Sequence, residues 1–167
     1  MLWEVNKFVK KKKRKTNKKP VVVAVSGGFD PMHVGHARLF ENAKKLGDKL
    51  VVIMNNDNWL KKKKGFAFMS EKERAELIRH IRWVDDVLIS GHKPNPPDMS
   101  VVAELQKLKP HIFANGGDRK IGNIPEVPVC EELGIKMVFN VGHGGKVQSS
   151  SWLLAAHISK TKKHKGR

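Results

Sequence analysis

The sequence predicts an α/β fold built on one parallel sheet, and three observations predict it. Strand-like segments recur at 21–25, 50–54, 84–89, 111–114 and 136–141, of which the first two are unbroken apolar runs. Runs of this kind read as strands buried on both faces. Segments of helical periodicity lie between them, and strand, helix, strand at this spacing implies parallel strands with right-handed crossovers. The first run then empties into Gly27 and Gly28, followed by a short loop with His33 and His36. Ligands of open α/β sheets bind at such carboxyl ends.

Each element has its own signal. Pro20 precedes the first strand, 21–25. Leu39, Phe40, Ala43 and Leu46 give residues 36–46 one apolar helical face, and Gly47 suits a C′ position. Residues 50–54 are the second strand, 55–58 the loop after it, and Lys61, Lys62, Lys63 and Lys64 run on to Gly65. Ser70 with Glu73 forms a capping box for a helix whose face is Ala75, Leu77, Ile78 and Ile81. The third strand spans 84–89. After a Gly/Pro-rich loop, Asp98 is expected to cap a helix carrying Val101, Val102, Leu105 and Leu108. Pro110 ends that helix, and the strand 111–114 runs into Asn115, Gly116, Gly117 and Asp118. A helix begun near Glu126 ends at Gly134, a fifth strand spans 136–141, and Gly142, His143, Gly144 and Gly145 form a loop. Ser149, Ser150 and Ser151 cap a last helix, 152–159.

A chain of 167 residues suits one domain with a sizeable core. No apolar stretch is long enough to span a membrane, and no apolar segment follows the basic N-terminus as in a secretory signal. The single cysteine, Cys130, excludes a Cys-based zinc site and suits a reducing, cytoplasmic setting. Formal net charge is +17. The excess sits in residues 1–20, in 160–167 and in the lysines at 61–64, and elsewhere acidic and basic residues are equal in number. The expected organisation is a basic tail at 1–19, one domain at 20–159 and a second basic tail at 160–167. Such tails are commonly solvated, yet they suit an anionic membrane surface or nucleic acid. A second class of function therefore stands beside enzymatic ones: a nucleic-acid- or membrane-surface-binding module on a non-catalytic nucleotide-binding scaffold. Neither basic run is interleaved with aromatic side chains of the kind that stack on bases.

The chemistry concentrates where the first strand ends. Imidazoles donate hydrogen bonds to phosphate oxygens, and helix N-termini attract anions. Glycines at 27 and 28 permit close backbone approach. Three successive serines before a helix exceed what capping requires and suit a second anion contact. No His and carboxylate spacing matches a zincin.

The segment Ser26-Gly27-Gly28-Phe29-Asp30-Pro31-Met32-His33-Val34-Gly35-His36 resembles the G-x-F-D-x-x-H-x-G-H signature of the cytidylyltransferase-like nucleotidyltransferases. The resemblance extends over about residues 20–158, through Leu46-Gly47-Asp48, Asn55-Asn56-Asp57, Lys64-Gly65, Glu73-Arg74, Arg82-Trp83-Val84-Asp85-Asp86, Asn115-Gly116-Gly117-Asp118 and Ser149-Ser150-Ser151. It implies a Rossmann-like three-layer sandwich with five parallel strands. It also implies nucleotidyl transfer from CTP or ATP, with Mg²⁺, to a phosphorylated polyol, sugar or amino alcohol, with release of pyrophosphate. By resemblance His33, His36 and Lys64 are catalytic. Gly27, Gly28, Phe29, Asp30, Gly117, Asp118, Ser149, Ser150 and Ser151 join the two histidines in holding nucleotide, Asp30 by holding its loop. Lys63, Asn55 and Asp57 are expected at the acceptor. Glu73, Arg74, Asp85 and Asp86 are expected to be structural, and the resemblance implies a homodimer. The subgroups most alike are the heptose-1-phosphate adenylyltransferases and the choline- and glycerol-phosphate cytidylyltransferases. Asn115 stands where the former carry lysine.

Overall fold

The computed structural model describes residues 19–117, 119, 122, 124–142 and 148–156. Both basic tails (except Lys19), Asp118, residues 143–147 and the end of the last helix lie outside the described residues.

Five strands form one parallel sheet: β1 (Val22–Gly27), β2 (Lys49–Met54), β3 (Asp86–Ile89), β4 (Ile112–Ala114) and β5 (Lys136–Val138). Their order is β3-β2-β1-β4-β5. The chain winds outward from β1 through β2 to β3, then returns to the far side of β1 for β4 and β5. The order therefore reverses between β1 and β4, and the crevice beyond their carboxyl ends is the expected ligand site of such a sheet.

The helices are α1 (Val34–Lys44), α2 (Asp57–Lys64), α3 (Glu71–Arg79), α4 (Val102–Leu108), α5 (Val127–Glu132) and α6 (150–156). Side-chain alternation along the strands supplies two cores. Val23, Val25, Leu50, Val52 and Met54 face Phe40 and Ala43 of α1 and Ala75 and Ile78 of α3. Ala24, Ile53 and Phe113 face Leu105 of α4 and Val129 and Cys130 of α5. The expected three layers and five parallel strands are all present.

Four local expectations change. Residues 57–64 form α2 rather than an open loop and a solvated run. Asn56 accepts from Trp59 N at 3.0 Å, Gly65 closes the helix at φ 85°, and the four lysines fill its last turn. Cations are favoured at that end of a helix. Asp98 caps no helix, because its carboxylate accepts from the N–H (2.8 Å) and hydroxyl (2.9 Å) of Ser100. Helix α4 instead starts at Val102, and the preceding Val101 N–H donates to Glu126 Oε1 at 2.9 Å. Gly47 is needed for closeness rather than for a left-handed turn, since a Cβ there would lie 2.8 Å from Val21 O. The third and fifth strands are shorter than their expected segments, at Asp86–Ile89 and Lys136–Val138. The capping box at Ser70 and Glu73 is formed, and Asp85 receives Leu50 N at 2.7 Å and pairs with Lys44.

Candidate active site

The loop after β1 is held from several sides. Asp30 is fully buried, and its two carboxylate oxygens accept from Phe68 N and Met69 N, each at 2.8 Å. Lys64 Nζ donates to Asp30 O at 2.8 Å, and Ser150 Oγ donates to Pro31 O at 2.8 Å. Phe29 takes a left-handed φ of 50° and buries its ring beneath the loop. A Cβ on Gly27 would lie 2.9 Å from that ring, and one on Gly28 would lie 2.9 Å from Leu60 Cδ2. Both glycines are therefore required by packing beneath the site.

His33 is the N-cap of α1 and His36 lies in its first turn. His33 Nδ1 accepts from Gly35 N at 3.1 Å, and His36 Nδ1 accepts from His33 N at 3.3 Å. A nitrogen that accepts carries no proton, so each neutral ring bears its hydrogen on Nε2. The rings stack with centroids 3.7 Å apart, and the His36 ring meets Phe29 edge-on at 4.9 Å. Burial, then His33 and Lys64, push the His36 imidazolium down to about 3. Burial and Lys64 lower His33 as well. Lys64 is itself lowered, chiefly by burial. Both rings therefore stand neutral at pH 7 as paired N–H donors.

The low value at His36 has a consequence for stability. An unfolded histidine titrates near 6.5, so below that pH the unfolded chain binds a proton that the folded chain refuses. Stability from this residue is full above pH 6.5 and falls as pH drops toward 3. From pH 7 to pH 5 the expected loss is about 2 kcal/mol. Urea unfolding of the wild type and of His36→Gln at the two pH values checks it: the variant should lack this increment.

These side chains line a cavity of about 380 Å³ at the carboxyl ends of β1 and β4. Of the residues singled out in the sequence, Gly27, Gly28, Phe29, His33, His36, Lys63, Lys64, Gly117, Ser149, Ser150 and Ser151 all meet there. Arg38, Trp59, Asn115 and Arg119 add to the wall. Four cationic side chains (Arg38, Lys63, Lys64 and Arg119) and no carboxylate line it among the described residues, which is the electrostatics of an anion site. Lys63 Nζ lies 4.5 Å above the Trp59 ring. The serines divide their work, since Ser149 Oγ accepts from Trp152 N at 3.2 Å while Ser150 reaches Pro31.

Asn55 and Asp57 do not reach this cavity. Asp57, at the start of α2, pairs with the buried guanidinium of Arg74 at 2.6 Å. Arg74 is fully buried and also donates to Gly28 O and Asn55 O, each at 2.7 Å, and to Met69 O at 3.1 Å. Its place on the same helical face as Ala75 and Ile78 was the sequence signal for this burial. Asn55 lines a second cavity beside the first. No cluster of three His, Cys, Asp or Glu that could hold a metal exists among the described residues. No helix among them is long and apolar enough to cross a membrane.

Comparison with known proteins fits this geometry. An FAD synthase of Pyrococcus abyssi is 44% identical over 98 residues, which span 58% of this chain and 63% of that protein. An FAD synthase of Pyrococcus horikoshii is 35% identical over 142 residues, 84% of this chain and 87% of that one. A crystal structure of a lipopolysaccharide core biosynthesis protein from Thermoplasma volcanium shares the fold. Its TM-score is 0.62 at 24% identity, over 75% of this chain and all of that one. Residues 24–127 match the cytidylyltransferase-like family. The chain belongs to the cytidylyltransferase-like family of nucleotidyltransferases.

Proposed function

We propose that this protein transfers a nucleotidyl group from a nucleoside triphosphate to a phosphorylated acceptor. A phosphate oxygen of the acceptor attacks the α-phosphorus, the bond to pyrophosphate breaks, and a diphosphate ester remains. The observation that carries this reading is the pair of stacked imidazoles, with both Nδ1 atoms occupied by backbone N–H groups and both Nε2–H groups left as donors. Positioning and charge stabilisation suffice for such a reaction. His33 and His36 donate to the triphosphate, and Lys64, held by Asp30 O, supplies positive charge beside them. Gly27, Gly28, Gly117, Ser149, Ser150 and Ser151 shape the nucleotide's surroundings, with Lys63 on the acceptor side. Mg²⁺ would enter with the triphosphate and would supply positive charge against the departing pyrophosphate.

The two Pyrococcus relatives are named FAD synthase. In FAD the phosphate of AMP is joined to a ribityl phosphate, itself a phosphorylated polyol, so that the two make one diphosphate. That favours ATP as donor and FMN as acceptor. The alternative of a nucleic-acid- or membrane-binding module rests on tails outside the described residues, and neither named relative supports it.

A pyrophosphate-release screen tests the reading. It crosses ATP and CTP with FMN, glycerol 3-phosphate, a sugar 1-phosphate, phosphocholine and phosphoethanolamine. Turnover with ATP and a polyol phosphate is expected, and silence with every pair would defeat it.

A further inference from the structure

Four lysines end α2, and they are not equivalent. Lys61, Lys62 and Lys63 are exposed, while Lys64 is half-buried and lines the large cavity. Lys62 Nζ, at the surface, donates to Asn95 Oδ1 at 2.6 Å. Lys64 Nζ donates to Asp30 O at 2.8 Å. A neutral amine can make that same bond and still keep a lone pair. Burial lowers the Lys64 ammonium below its ordinary value, Asp30 opposes this and Arg74 adds to it. A desolvated lysine beside another cation is an activated nucleophile, whereas an ordinary lysine is almost wholly protonated at pH 7.

The surroundings of this amine suit a phosphate that departs. His33 and His36 have both Nδ1 atoms occupied and both Nε2–H groups left as donors. Lys64 lies within electrostatic reach of the two rings, since its charge lowers both. Arg38, Lys63 and Arg119 add positive charge, and among the described residues no carboxylate lines the wall. A nucleophilic amine and donors for a leaving phosphate thus share one cavity.

We propose that Lys64 is a modification site: the cavity takes up an acyl phosphate, which acylates Lys64 in preference to the other lysines of α2. The lone pair of the neutral amine attacks the acyl carbon. The bond from that carbon to the phosphate oxygen breaks, phosphate leaves with the electron pair and takes up the amine's proton, and an amide remains. His33 and His36 donate to the departing phosphate as they would to a departing pyrophosphate. The amide is uncharged, so acylation removes the cation beside the triphosphate and silences transfer. That silencing rests on the transfer reading, while the acylation rests on the cavity alone. An uncharged acylating reagent offers the cavity nothing to hold and meets the exposed lysines first.

The test treats the full chain at pH 7 with acetyl phosphate and, separately, with N-hydroxysuccinimidyl acetate. Mass spectrometry of peptides cut at glutamate follows acetylation at Lys61, Lys62, Lys63 and Lys64. Acetyl phosphate should label Lys64 about tenfold faster than Lys61 or Lys62, and excess inorganic phosphate should abolish the preference. The uncharged reagent should show no preference for Lys64. Even labelling by acetyl phosphate, or a preference that phosphate does not affect, overturns the assignment. Pyrophosphate release should fall in step with the fraction of Lys64 acetylated, and release that persists at full acetylation overturns the silencing. Selective labelling in a protein that turns over no donor and acceptor keeps the modification site and defeats the transfer reading. Turnover without selective labelling does the reverse.

Discussion

His36→Ala is expected to slow pyrophosphate release by about 10²–10³-fold, the usual effect of removing one preorganised donor from a developing negative charge. The argument runs from the ring's confinement. Its Nδ1 is occupied by His33 N, one face stacks on His33, and its edge meets Phe29. Only Nε2–H is left to serve a ligand, and it needs no proton from solvent, because burial keeps the ring neutral. Donation is therefore ready before the nucleotide arrives, which is what makes such a group effective. Losing the cap contact should cost folding only about 1 kcal/mol, so the variant should fold. Single-turnover rates at saturating triphosphate separate the loss from weakened binding. A fall of less than tenfold would remove His36 from the reacting geometry.

Arg74→Ala should produce the largest loss of stability, about 3–5 kcal/mol, as expected when one partner of a buried charge network is removed. The guanidinium has no solvent exposure and serves four oxygens at once: Gly28 O, Asn55 O, Met69 O and Asp57 Oδ1. Its removal leaves three carbonyls without this donor. For a domain of this size that corresponds to a midpoint about 10–15 °C lower in thermal unfolding. Lysine cannot restore it, because its single ammonium lacks the planar fork that reaches several carbonyls together. A midpoint shift below 3 °C would mean that the network is replaceable by water.

The parts of this fold that the sequence made legible are those that repeat a simple physical rule. Strands β1 and β2 are buried on both faces, so their residues form unbroken apolar runs. Ser70 and Glu73 cap α3 through purely local geometry. Helix α2 was hidden because it buries only Trp59 and Leu60, too few to show a period. Its Asn56 and Gly65 caps were the readable trace. At the site, the histidines, lysines, glycines and serines were visible as a motif. The pairing of Asp57 with Arg74 was not legible, because the two lie 17 residues apart and meet only through the packing of α3. Glu126 was read as a helix start. Its hold on Val101 N becomes apparent only when the loop before α4 is brought beside it.

The tie from Ser150 Oγ to Pro31 O joins positions 119 residues apart. The loop that carries His33 is thus braced by the far end of the described chain. Ser150→Ala removes that strut and should weaken triphosphate binding while leaving the sheet in place. Affinity for the triphosphate then reports on a contact that the sheet itself does not make.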